Sequence, residues 1–241
     1  IVVIIFFICT SYVTFIIDNP SLDHLIIDYY YAGQQTLYGD RVSVYLASAP
    51  IGWSVLLALS DNVVDDVFVT AKLVSVFFAT GIVLLSFYIV KNIFNKQVAL
   101  LAQTLIAITP FFHVEAIITH GEILPVFLIF FSFYFITKKK LSKRDVILCG
   151  IFLGLASMLR YQAAIIAISC VPFFLIQYKK IHLSKTVFFL IFFIIAFSPL
   201  LIYNFQTFDT LIDSNPSFFF LHFTEFQDHP AWEKTFAEGA K

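Results

Sequence analysis

Seven stretches of the chain are almost wholly apolar: residues 1–17, 67–90, 97–115, 122–137, 146–159, 162–178 and 184–203. A helix that crosses a bilayer needs about 20 mostly apolar residues, with a range of about 17–25. A barrel strand would instead be about 10 residues of alternating polarity. Runs such as Val187–Ala196 show no alternation. The pattern predicts an all-α, polytopic transmembrane bundle of about seven helices over residues 1–203. Pro110, Pro125 and Pro172 fall inside predicted helices and are expected kink sites. Gly150 and Gly154 stand four apart, a small-xxx-small pair that lets helices approach closely.

The first long gap, residues 18–66, has a different texture. It mixes apolar stretches with acids and is broken by Pro20, Gly33, Gly39, Pro50 and Gly52. Asp23–Leu37 reads as a helix lying in the interface and Gly52–Leu59 as a second short helix. Long loops with structure of their own are usually functional.

Charge then orients the bundle. Of fifteen Lys and Arg residues, two, five and three fall in the short loops 91–96, 138–144 and 179–185. All sixteen acids lie outside these loops, and only Asp145 adjoins one. Basic loops mark the cytoplasmic side. With these three loops inside, the N-terminus is cytoplasmic, and residues 18–66, 116–121, 160–161 and 204–241 lie outside. Asp145 opens the fifth helix, where an acid suits the positive end of the helix dipole.

Composition agrees. The chain is 60% hydrophobic and 13% charged, against about 45–50% and about 25% for a soluble domain. An integral membrane protein is expected, with a prokaryotic plasma membrane compatible and membrane lipids as its surroundings. No basic tract with interleaved aromatics points to nucleic acid. Cys9, Cys149 and Cys170 lie inside apolar runs, without metal-ligand spacing or a disulfide framework, and read as packing residues. The chain starts with Ile and has a single Met, Met158, so it reads as a fragment, with 204–241 as a truncated extracytoplasmic segment.

Candidate chemistry collects on the outer side. Asp28, in IIDYYYAGQQ, can serve as a general base toward a hydroxyl; a solvated loop acid or a helix cap is the plainer reading, and Asp23 competes for the role. Thr119-His120-Gly121-Glu122 forms the turn before the fourth helix, where Glu122 can cap the helix. His120 and Glu122 are close enough to share a divalent ion, but a zinc site wants three or four ligands, so any metal stays unknown. His113 and Glu115, one or two turns earlier, are functional candidates as ionisable groups at membrane depth, with pairing to each other or to Lys72 as the plainer reading. Arg160 breaks the charge sorting. Its guanidinium suits a phosphate, with a salt bridge to an outer acid as the alternative. Tyr31, Tyr161 and His120 complete the candidate substrate-binding residues. No phosphate-binding Gly loop, HExxH, GxSxG or CxxC occurs, which leaves nucleotide chemistry on the inner side nothing to stand on.

In order, these features resemble the membrane-embedded glycosyltransferases of the type C fold, the group of the protein O-mannosyltransferases and aminoarabinose transferases. The resemblance rests on Asp28-Tyr-Tyr-Tyr-Ala, Leu37-Tyr-Gly39, the Pro50–Leu59 stretch PIGWSVLLAL, AKLVSVFFATGIVLLSFYIVKNIFNKQVALLAQTLIAITPF, HGEILPVFLIFF, GIFLGLASMLRYQA, and SPLLIYN at Ser198–Asn204. It covers about residues 1–205, and the ordered set carries it rather than any single motif. The resemblance implies a polyprenyl-phosphate-linked sugar as donor, a protein, lipid or glycan acceptor, and transfer on the extracytoplasmic side. It implies Asp28 as catalytic base, Glu122 as the acid that positions the acceptor or a metal, and Arg160 at the lipid-linked phosphate. Two departures stand out: many members carry an acidic pair where Asp28 is followed by Tyr29, and the family has more helices. The alternatives are a lipid or small-molecule transporter or flippase, which would show broken helices and an inverted repeat, and a non-catalytic membrane scaffold.

Overall fold

The computed structural model describes residues 1–16, 20–38, 50–60, 63–64, 66–118, 121–175, 183–208 and 211, and leaves out the side chains of 20–25, 28, 118 and 207–208. Every regular element among the described residues is a helix: α1 Val2–Ile16, α2 Pro20–Tyr38, α3 Gly52–Ser60, α4 Val67–Ile93, α5 Lys96–Ile108, α6 Pro110–Ile118, α7 Ile123–Ile136, α8 Lys143–Leu159, α9 Gln162–Leu175 and α10 Leu183–Phe208.

Side-chain caps set several of the starts. Asp66 accepts hydrogen bonds from the Phe68 and Val69 amides (2.9 and 3.1 Å), and Asn95 accepts one from the Val98 amide (3.0 Å). At α8 the Asp145 amide donates to the Ser142 hydroxyl (3.2 Å), and the Ser142 amide donates to the Asp145 carboxylate (3.0 Å). That reciprocal box satisfies two backbone donors the helix leaves open. Lys138 closes on the same carboxylate at 2.6 Å. The helix therefore begins at Lys143, three residues before its apolar run.

The apolar run 97–115 is two helices. α5 and α6 meet at an angle of 57°. Thr109 at the joint is extended (φ −68°, ψ 117°), the conformation that a following proline imposes, and Pro110 brings no N–H. His113 answers part of the cost: its Nε2–H donates to the Ala107 carbonyl at 2.6 Å, just before the bend. Its other ring nitrogen meets the Thr10 hydroxyl of α1 at 3.3 Å, and the ring lies on Phe6. Pro125 sits in the first turn of α7 and Pro172 inside α9.

Among the described residues two helices, Val67–Ile93 and Leu183–Gln206, are long and apolar enough to cross a membrane, and the bent α5–α6 pair makes a third if it is one span. Val2–Ile16, Ile123–Ile136 and Gln162–Leu175 are shorter apolar helices. Large apolar side chains such as Phe77, Leu101, Ile165 and Ile168 stand exposed on helix faces, a surface that lipid solvates and water does not.

Inside lipid, apolar burial gives helices little reason to associate, so close packing must do it. The α8–α10 contact shows how. A Cβ on Gly150 would lie 2.6 Å from the Phe189 carbonyl oxygen, and one on Gly154 2.6 Å from both Phe193 O and Ala196 Cβ. The two glycines let the α10 backbone rest directly on α8. Phe174 and Phe189 fill the space beside them, with Val146, Cys149 and Leu153. A second apolar cluster joins α1, α4, α6 and α7 through Phe6, Ile82, Val83, Ala116 and Ile123.

The segment read as a structured loop carries α2 and α3. These two helices pack on each other so closely that a Cβ on Gly33 would lie 2.0 Å from the Ser54 carbonyl oxygen. α3 also touches α4 and α8. Its Trp53 and Leu57 share a buried cluster with Ile26 of α2, Ala71 of α4, Leu124 of α7 and Leu159 of α8.

Candidate functional site

The end of α8 and the start of α7 meet above that cluster. Arg160 terminates α8: its backbone is extended (φ −151°, ψ 121°), and its amide still bonds back to Ala156 O at 2.8 Å. Leaving the helix there swings the guanidinium away from the α8 axis, where it forms an ion pair with Glu122. Glu122 occupies the N-cap position of α7 but makes no capping hydrogen bond. The helix-cap reading of this residue is therefore not what its side chain does. Of the two readings of Arg160, the structure shows a salt bridge to an acid.

Gly121 sets the approach. Its φ of +79° lies in the left-handed region, which L-residues with a Cβ avoid. The Trp53 indole packs flat against it: a Cβ at Gly121 would lie 2.6–2.8 Å from three ring atoms. Trp53 is only 3% exposed, and its Nε1–H has no hydrogen-bond partner among the described residues. A buried, unsatisfied donor costs about 1–3 kcal/mol. Trp53 is the supporting residue that the sequence did not single out as chemistry; the Gly-Glu step and the Pro-x-Gly-Trp stretch were its only signals.

The pair sits in a mixed environment. Burial pushes the Glu122 carboxyl above the ordinary carboxylate range, the Arg160 guanidinium pulls it back, and the nearby Glu115 pushes it up again. The net effect is upward, so the ion pair does not fully repay the desolvation of Glu122.

Tyr161 follows Arg160 and faces α10. Its hydroxyl accepts from Asn204 Nδ2 at 2.9 Å, and its ring packs against the buried cluster of Ala32, Ile51, Phe197 and Leu200. Tyr31, on α2, is 60% exposed beside Tyr30 and is not part of the Glu122–Arg160 arrangement. Asp28 and Asp23 fall on α2, and their side chains lie outside the described residues, as does His120. What can be said of Asp28 is where its helix runs: Ile26 of α2 packs in the same cluster as Leu124 and Leu159, which flank Glu122 and Arg160.

His113 and Glu115 are not partners. His113 holds Ala107 and Thr10 at the bend, and among the described residues neither Glu115 nor Lys72 takes part in an ion pair. No group of three or more His, Cys, Asp or Glu side chains among the described residues could hold a metal ion.

Electrostatically, the site offers one cation held by one carboxylate at the junction of α7 and α8. An anionic ligand can take the place of that carboxylate on the guanidinium, which presents up to five N–H donors in a planar fork.

A profile of the dolichyl-phosphate-mannose-protein mannosyltransferase family matches residues 48–203. The matched stretch runs from just before α3 to Tyr203 in α10 and includes Gly121, Glu122, Arg160 and Tyr161, whereas Asp28 and Tyr31 precede it. No curated protein and no solved structure gives a significant match to the chain. The match takes in well over half of the sequence: the chain belongs to the dolichyl-phosphate-mannose-protein mannosyltransferase family of integral membrane glycosyltransferases.

Proposed function

We propose that this chain transfers a sugar from a polyprenyl-phosphate donor to a hydroxyl or amine of a protein, lipid or glycan acceptor on the extracytoplasmic side of the plasma membrane. The observation that carries the reading is Arg160, brought by the end of α8 to a carboxylate at the start of α7. A phosphodiester-linked sugar already contains its leaving group. The enzyme must hold the phosphate, deprotonate the acceptor and exclude water.

Arg160 is the phosphate clamp in this scheme. Asp28 is the general base, delivered by α2. As the acceptor oxygen attacks the anomeric carbon, Asp28 takes its proton, and the bond to the phosphate oxygen breaks with both electrons going to the phosphate. The guanidinium stabilises the charge that gathers there. A single displacement inverts the anomeric centre. Glu122 positions the acceptor, or holds a divalent ion together with His120, once the phosphate has taken over Arg160. The sidedness follows from the three basic loops.

Asp28→Asn is the direct test. Sugar transfer from a polyprenyl-phosphate sugar disappears while insertion and folding persist; full activity in that variant removes Asp28 as the base. The bent α5–α6 pair is the one feature that a transporter would share. At that bend a freed carbonyl is already occupied by His113, which argues against an ion path there.

A further inference from the structure

The motif SPLLIYN ends on two residues, Tyr203 and Asn204, that the proposed chemistry leaves without a task. They are neighbours near the end of α10 and reach in different directions. Tyr203 meets Thr36 of α2, hydroxyl to hydroxyl at 3.4 Å. The Thr36 proton is committed to Ala32 O at 2.8 Å, so Tyr203 is the donor. Asn204 is 2% exposed. Its side-chain amide donates to the Tyr161 hydroxyl at 2.9 Å and to Leu211 O at 3.1 Å, which uses both of its protons.

These bonds tie the end of α10 to α2 on one side and to the turn after α8 on the other. α2 carries Asp28. Tyr161 is covalently next to Arg160 in the turn between α8 and α9. α10 rests on α8 at the glycine contact, one to two turns before these residues. Ala32, Ile51, Phe197 and Leu200 pack around the same junction and keep water from competing.

We propose that Tyr203 and Asn204 are positioning residues that set the spacing between α2 and the Arg160–Tyr161 turn. The claim rests on the functional reading above for its consequence, because that spacing is the distance between base and phosphate clamp. It rests on geometry alone for its structural content. Neither residue touches the substrate in this scheme.

The test uses the full chain in lipid nanodiscs, with Cys9→Ser to remove the exposed thiol. Spin labels are placed at L37C on α2 and Q162C at the start of α9, both exposed positions. In the parent the label-to-label distance is narrow. Asn204→Leu and Tyr203→Phe broaden or shift it, and Tyr161→Phe, which deletes one hydroxyl and no packing volume, reproduces the effect of Asn204→Leu. An unchanged distance in Asn204→Leu and Tyr161→Phe overturns the proposal, whether or not the protein transfers sugar. With a polyprenyl-phosphate sugar as substrate, Asn204→Leu and Tyr161→Phe each raise the donor KM about tenfold, the size of one lost hydrogen bond, with kcat little changed. The double variant is no worse than either single one. A shifted distance with an unchanged KM in an active enzyme also overturns the proposal. If the parent transfers no sugar, the functional reading falls and the distance measurement still decides the structural claim.

Discussion

Gly121→Ala is the sharpest test of how the Glu122–Arg160 junction is built. Two separate costs arise. The first is conformational: a residue with a Cβ at φ +79° pays about 1–2 kcal/mol. The second is steric. The new methyl would stand 2.6, 2.7 and 2.8 Å from three Trp53 ring atoms, where carbon atoms prefer about 3.5–4.0 Å. The indole must retreat by roughly 1 Å, but Ile26, Leu57 and Leu124 stand behind it, all buried. Overpacking of this kind costs about 1–3 kcal/mol. Together the two come to about 2–5 kcal/mol, or a fall in melting temperature of about 5–15 °C for a chain of this size.

A built-in reporter exists. Cys149 and Cys170 are buried and free, so in a Cys9→Ser background their reaction with a thiol dye follows unfolding in detergent. Trp53→Ala separates the two costs. That change alone is severe, about 3–5 kcal/mol, but in its presence Gly121→Ala should lose its steric part and keep only the conformational one. The expected coupling is about 1–3 kcal/mol. Additivity within about 0.5 kcal/mol, or a Gly121→Ala protein that melts with the parent, would refute the picture of an indole locked against the turn.

Two further expectations concern polar groups. Burial holds the Glu122 carboxyl above its ordinary value of 4.5, so the folded state binds its proton more tightly than the unfolded chain does. The stability this provides is complete below the ordinary value and is lost as pH rises through the raised one. Glu122→Gln should therefore melt no lower than the parent at neutral pH and should lose this pH dependence, whereas Arg160→Met should melt lower and recover when combined with Glu122→Gln; a Glu122→Gln protein clearly destabilised at neutral pH contradicts the reading. His113→Phe keeps the ring against Phe6 but leaves Ala107 O without its donor, and should cost about 1–3 kcal/mol by the same thiol assay; an unchanged melting curve would mean the bend does not need the imidazole.

The helical character of the chain was legible because each run is apolar on every side, which only a helix in lipid tolerates. The small-xxx-small spacing of Gly150 and Gly154 pointed to a close crossing, and α10 proved to be the partner. Pro110 pointed to a kink, yet the sequence could not show that His113 would turn back to the freed carbonyl; it suggested Glu115 as the partner instead. Local spacing favours neighbours, and His113 found its contacts at the bend and on another helix. Arg160 was legible as the single basic residue between Arg144 and Lys179, away from the three basic loops, where an anion is its natural partner. That Glu122 is the one it meets depends on how α7 and α8 are splayed, which no local pattern records. Trp53 was legible only as part of a motif, because its role is set by a glycine from a separate segment.

The missing side chain of Gly33 acts as a gauge block. α2 and α3 are as close as two backbones can come, with the Ser54 carbonyl in the space where a methyl would be. Each heavy atom added at position 33 therefore moves α2 outward by a defined step and leaves α3 and Arg160 behind. The reach of the proposed base toward its acceptor becomes adjustable at a residue that touches neither, and a graded series from Ala to Ser to Val would read out how much slack the transfer reaction tolerates.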